Sequence, residues 1–109
     1  MTIDIQEPLH GISESLLSYV KEKVVELSHL NPDISRADVI FHEDSLEPGR
    51  EKVCEIRLTV FGDSLFVQRR TDDFERSAIE AIEGIKKDVL QQVSEQNDVP
   101  DVVVSTVRP

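Results

Sequence analysis

Apolar and polar positions alternate along four stretches of this chain and recur at helical spacing along two others. Ile3 and Ile5 face one way, Asp4 and Gln6 the other, which predicts a short half-buried strand from Thr2 to Gln6. Glu7-Pro8 through Gly11 breaks it. Ser13 is a good N-cap, with Ile12 and Leu17 placed for a hydrophobic staple and Glu14 suited to the positive end of a helix dipole. Leu16, Tyr19, Val20, Lys23, Val24 and Leu27 then follow helical spacing, and Asn31-Pro32 stops the run, so a helix is predicted from Ser13 to His29. Its other face carries Glu14, Ser18, Glu22 and Glu26, a solvated acidic surface flanked by Lys21 and Lys23.

Alternation returns from Ile34 to Glu43, with Ala37, Val39 and Phe41 on one face and Asp38, Ile40 and His42 on the other. A loop at Pro48-Gly49 leads to a third strand from Lys52 to Phe61, with Cys54, Ile56, Leu58 and Val60 inward and Glu55, Arg57, Thr59 and Phe61 outward. Gly62-Asp63 is the expected two-residue hairpin turn. That turn sets Val60 opposite Leu65, Leu58 opposite Val67, Thr59 opposite Phe66 and Glu55 opposite Arg70. After a cap at Thr71 or Asp72 comes a second helix, whose buried stripe is Phe74, Ala78, Ile82, Ile85 and Val89, widened by Ile79 and Ala81. Gly84 weakens that helix slightly and allows close approach to the first one. After Val93 the composition turns polar, and the valine-rich DVVVSTVRP that follows is β-prone.

The order strand, helix, three strands, helix predicts an α+β two-layer sandwich. The first strand, helix and second strand cross over right-handed, making those two strands parallel. The rest is an antiparallel meander, so the sheet has four strands, is mixed, and has both helices packed on one face. Residues 1–93 form this domain. Residues 94–109 are expected to be a tail, either disordered or paired as a strand with a free sheet edge, in this chain or in a second copy.

Composition narrows the function classes. With 109 residues, 39% hydrophobic and 31% charged, the chain is expected to be one globular domain. No run is long and apolar enough for a membrane span, and the opening MTIDIQEPLH lacks the basic-then-apolar order of a secretory leader. A single cysteine, Cys54, suits a reducing compartment, and the cytoplasm is the expected location. The net charge of −10 disfavours DNA and anionic membranes as nonspecific partners, so any basic patch must be local. Cys54 lies on the inward face of a central strand, the three histidines fall in separate elements, and there is no glycine-rich phosphate loop. The reading is therefore of a non-enzyme, with no catalytic residues, no metal site and no cofactor.

The sequence resembles the ribosome hibernation-promoting factor and ribosome-associated inhibitor family in its short form. In the first helix, ISESLLSYVKEKVVEL, the similarity rests on Ile12, Ser13, Leu16, Tyr19, Val20, Lys23 and Leu27. The hairpin CEIRLTVFGDSLFV followed by DDFERSAIEAIEGIKK is similar to the family's strand-turn-strand and acidic-aromatic helix start. The resemblance covers residues 2–93, mostly at core positions. It implies a domain that binds the small ribosomal subunit near the decoding channel, contacts ribosomal RNA through lysines and arginines, and blocks translation under stress.

The residues that match such a role are Lys21, Lys23, Arg57, Arg69, Arg70, Arg76, Lys86 and Lys87. Against it, Arg70 is expected to pair with Glu55, Arg76 with Asp72, Asp73 or Glu80, and Lys87 with Glu83. Phe61 and Phe66, on the face away from the helices, are either a stacking platform for bases or a shield for the hairpin. Beyond Lys87 the helix continues DVLQQVSEQ, where the family usually has further cations. A second reading follows: an acidic paralogue that has lost RNA binding and serves as a protein-interaction module.

Overall fold

The computed structural model describes the backbone of residues 1–107 and the side chains of residues 1–94. Its elements follow the order β1 (Thr2–Gln6), α1 (Glu14–Leu30), β2 (Ile34–Glu43), β3 (Lys52–Val60), β4 (Asp63–Thr71) and α2 (Phe74–Val107). The strands lie in the spatial order β1-β2-β3-β4, with β1 and β2 parallel and the other pairs antiparallel. This is the four-stranded mixed sheet and the β-α-β-β-β-α order that the hydrophobic pattern predicts.

Local chemistry explains where the elements begin. Ser13 caps α1, its Oγ accepting from the Leu16 N–H at 3.2 Å, and Asn31 ends it, donating its own N–H to Leu27 O at 3.0 Å. At the start of α2, Asp73 and not Thr71 or Asp72 stands in the cap position: its Oδ1 accepts from the Glu75 N–H at 3.3 Å. Thr71 instead fixes the approach, its hydroxyl lying 2.6 Å from Asp73 O and 2.7 Å from the Ser77 hydroxyl. The Ser77 hydroxyl donates to Lys52 O at 2.7 Å, which ties the first turn of α2 to the start of β3.

One face of each strand and one stripe of each helix form the core. Leu16, Val20, Val24 and Leu27 from α1 meet Ala37, Val39 and Phe41, Cys54, Ile56 and Leu58, and Ala78, Ala81, Ile82, Ile85 and Val89 from α2. Phe41 packs edge-on against Phe74, with ring centroids 5.8 Å apart at 84°.

Two features differ from the sequence pattern. The β3–β4 turn is Phe61-Gly62, with Val60 opposite Asp63, so the register is shifted by two residues from the expected one. Only Gly62 has a positive φ (78°), as the second central residue of a type II turn requires, and Phe61 takes the first position without strain. A shift of two keeps every side chain within the strands on its expected face but changes its partner, and it moves Phe61 from the strand into the turn. The helix also continues past Val93, with helical backbone to Val107 where a tail or strand was expected. Extension of a helix satisfies backbone groups locally, whereas a strand needs a sheet edge to pair with. The contacts of the valines from Val102 to Val107, and hence the expected edge pairing of that segment, lie outside the described side chains.

Candidate nucleic-acid interface

The helices run side by side in the same direction, since Ser15, Leu16 and Tyr19 face Glu75 and Ile79, and Lys23 and Leu27 face Ile82 and Lys86. Near the C-terminal end of α1 the seam opens into a groove of about 270 Å³, with Leu27, Leu30 and Ile82 on its floor and Lys23, His29, Glu26 and Lys86 on its rim. Lys23 Nζ is 3.4 Å from Glu26 Oε2 and 5.7 Å from the centre of the Tyr19 ring. Lys21 is exposed on α1, and Lys86 and Lys87 are exposed on α2. Among the described residues these three lysines form no ion pair. The seam therefore brings Lys23 and Lys86 to one groove, which the Glu26 carboxylate shares.

Arg69 sits elsewhere. Its odd place in β4 turns it toward the helices, and its Nη2 lies 2.6 Å from where a Cβ on residue 84 would stand. Gly84 thus makes room for Arg69 of β4, and not for a close approach of α1. The guanidinium also donates from Nη1 to Gln68 O at 2.9 Å. Glu80, Glu83 and Lys87 surround this seat, so two carboxylates offset the two cations.

The face of the sheet away from the helices holds Arg57 and Arg70, each already engaged. Arg70 donates from Nη2 to Asp44 Oδ2 at 2.8 Å, not to Glu55 as expected, because the shifted register places Arg70 opposite Val53. Arg70 Nη1 is buried without a hydrogen-bond partner. The hydrogen bond from Arg70, followed by that from the Leu46 N–H, holds the Asp44 carboxyl below its ordinary value, and the same contact raises Arg70. Glu55 lies opposite Gln68 and takes His42 Nε2 at 2.6 Å and Gln68 Nε2 at 3.3 Å. Arg57 stacks over Phe66, 5.2 Å from the ring centre.

Arg36, which the sequence pattern does not single out, is on the same face and bonds Asp38 at 2.9 Å and Asp4 at 3.5 Å. Its hydrogen bond to Asp38 raises its pKa. Cross-strand register alone could have found Arg36, since Thr2 and Asp4 flank it once β1 and β2 are aligned in parallel. Arg76 reaches Asp72 at 3.4 Å, one of the three pairings the sequence offered for it. Phe66 is 46% exposed on this face, whereas Phe61 stands in the hairpin turn at 90% exposure, off the face where it was expected.

Burial pushes the Cys54 thiol up to about 12, with the Glu55 charge adding to the effect, so it stays protonated and inert. Among the described residues no cluster of three histidine, cysteine, aspartate or glutamate side chains could hold a metal ion. No helix among them is long and apolar enough to cross a membrane.

The fold has known counterparts. The structure of a ribosomal subunit interface protein from Coxiella burnetii superposes with a TM-score of 0.71 at 18% identity, covering 86% of this chain and 99% of that one. The Protein Y N-terminal domain from Thermus thermophilus gives 0.67 at 18% identity, over 84% of this chain and 98% of that domain. No curated protein sequence matches the chain. The model of one family, described as sigma 54 modulation protein / S30EA ribosomal protein, matches residues 5–97. That match takes in the end of β1, all of α1, β2, β3 and β4, and the described side chains of α2, and the chain accordingly belongs to this ribosome-associated family of hibernation-promoting factors.

Proposed function

We propose that this protein docks on the small ribosomal subunit near the decoding channel and holds translation down under stress, as a cytoplasmic binding protein with no catalytic step and no cofactor. The observation that carries the reading is the family match over residues 5–97. The contacting surface is the exposed side of the two helices, with Lys23 and Lys86 at the seam, Lys87 beside Arg69 and Lys21 exposed on α1, against phosphates of ribosomal RNA. Arg57, Arg69, Arg70 and Arg76 contribute less, because neighbouring groups already occupy them: an aromatic ring for Arg57, a backbone carbonyl for Arg69, and carboxylates for Arg70 and Arg76. With so few free cations, binding has a modest affinity and a shallower salt dependence than a many-contact RNA binder would show. Sedimentation through sucrose with small subunits and with whole ribosomes, at low and at physiological salt, tests it. Co-sedimentation that fades as salt rises is the expected result, and absence from the ribosomal fractions at both salts would overturn the reading.

One observation favours a second reading. Three of the eight candidate cations, Lys23, Arg70 and Arg76, are already paired with carboxylates on a chain of net charge −10. An acidic paralogue that works as a protein-interaction module would show this pattern. On that reading the acidic face of α1 and residues 95–109 are the working surfaces. Removing 95–109 then changes the mass of its complexes in light scattering, while ribosomes stay unbound.

A further inference from the structure

β4 is a nine-residue edge strand whose register with β3 runs unbroken from Lys52↔Thr71 to Val60↔Asp63. Edges of this length present N–H and C=O groups to any strand that can reach them. The pair that closes a two-residue turn exchanges both backbone hydrogen bonds, and bonded and non-bonded pairs then alternate. Hence Asp63, Leu65, Val67 and Arg69 bond toward β3, while Ser64, Phe66, Gln68 and Arg70 point their backbone groups outward. Side chains respect that parity. Arg69 Nη1 covers Gln68 O at 2.9 Å, Arg50 covers Arg70 O from Nη2 at 3.3 Å, and Asp63 Oδ1 takes the Ser64 N–H at 2.7 Å. Among the described residues no side chain covers the N–H or the C=O of Phe66.

We propose that this edge pairs antiparallel with β4 of a second copy of the chain, with Phe66 opposite Phe66 on the twofold axis. In that register the two uncovered Phe66 backbones bond each other. Ser64 stands opposite Gln68 of the second copy, so the Ser64 N–H and Gln68 O, each covered in the single chain, bond one another. Their covers are then released, and they are Asp63 and Arg69, which the same register sets directly opposite one another across the interface. A carboxylate and a guanidinium that guard the edge of one copy thus become its two symmetry-related ion pairs. Leu65 meets Val67 on the helix side. Placing Val67 on the axis instead would set Asp63 against Thr71 and Leu65 against Arg69, leaving both released charges without a partner.

Charge and spacing agree with a second copy as the occupant. β4 carries Asp63, Arg69 and Arg70, a local balance of +1 on a chain of −10, so the paired strands add none of the chain's excess negative charge to the contact. β1, the opposite edge, is only five residues long. Because α2 packs over β3 and β4, pairing would set the two copies of α2 about 10 Å apart, an ordinary helix-packing distance. The inference stands independently of ribosome binding.

Light scattering and sedimentation equilibrium of the full chain test it, over concentrations rising to the millimolar range. A mass that climbs toward twice that of the chain is expected, and a mass that stays at one chain overturns the proposal. Asp63→Arg and Arg69→Asp alone should each weaken dimerisation by about tenfold, because each replaces two attractive cross-strand pairs with repulsive ones. The double swap should restore it. Failure to restore, with circular dichroism showing all three variants folded, overturns the register. A Phe66→Cys variant needs no change of charge: facing residues of a bonded antiparallel pair lie about 5.5 Å apart, within disulfide reach. Oxidation should give a covalent dimer, with buried Cys54 not participating; no covalent dimer overturns the proposal.

Discussion

On the helix side of the sheet, Ala37, Val39, Phe41, Ile56 and Leu58 are fully buried among other apolar groups, while on the bare side the same strands hold Asp38, His42, Glu55 and Arg57. The two faces are one residue apart in every strand and are stabilised by different physics. The covered face gains from apolar burial and close packing, which tolerate little change in shape. The bare face is organised by contacts such as Arg36 with Asp38, His42 with Glu55 and Arg70 with Asp44, each of modest worth at a surface. Charged residues can therefore be exchanged there without loss of the fold. That accounts for a TM-score of 0.71 at only 18% identity, and it warns that charge-dependent binding need not follow the fold.

The contrast can be broken first at its strong side. Phe41→Ala removes a ring buried to 1% and its edge contact with Phe74, and should cost about 3–5 kcal/mol in urea unfolding. A loss below about 1 kcal/mol would mean that the covered face is not the seat of stability. Next, Ser77→Ala takes the side-chain donor from the Lys52 carbonyl and one of the partners from the Thr71 hydroxyl in a fully buried spot, and should cost about 1–3 kcal/mol by the same measurement.

For binding, reversing Lys23 and Lys86 together should weaken ribosome association at low salt by at least about tenfold and flatten its salt dependence. Arg57→Glu on the bare face should do less. An equal loss from Arg57 would move the interface from the seam to the sheet. The smallest effect is acid sensitivity. Arg70 holds the Asp44 carboxyl below its unfolded value, so the stabilisation is complete above the unfolded value, near about 4, and is lost as pH falls through the folded one. Glu43, lowered by Lys52, acts in the same sense. Thermal melting below about pH 4 should therefore fall less steeply for Asp44→Asn than for the parent chain.

Much of the covered face was legible because its signal is local. Alternation from Ile34 to Glu43 gives β2 with its observed bounds, and Ser13 marks the start of α1. The hairpin shows where such reading fails. Gly62 identifies the turn, but both Gly62-Asp63 and Phe61-Gly62 are two-residue turns containing it, and choosing between them shifts every cross-strand partner by two. Faces survive that error, and pairs do not. Glu55 and Arg70 are close in the expected register, yet each takes a partner from β2 or the loop after it, His42 and Asp44, which only the assembled sheet brings near. The candidate cations were legible as residues. Arg57 was also legible on the outward face; the seat of Arg69 against Gly84 was not, because it depends on how α2 crosses β4.

The buried position of Cys54 has a practical corollary. With its thiol pushed up to about 12 and no solvent access in the folded chain, alkylating reagents can reach it only when the sheet opens. Its labelling rate therefore counts excursions to the open state, so the native sequence contains its own stopwatch. Whatever binds the folded domain, ribosome or second copy, must slow that clock in proportion to its affinity and concentration. A single chemical readout could then rank partners without a tag, a dye or a substitution.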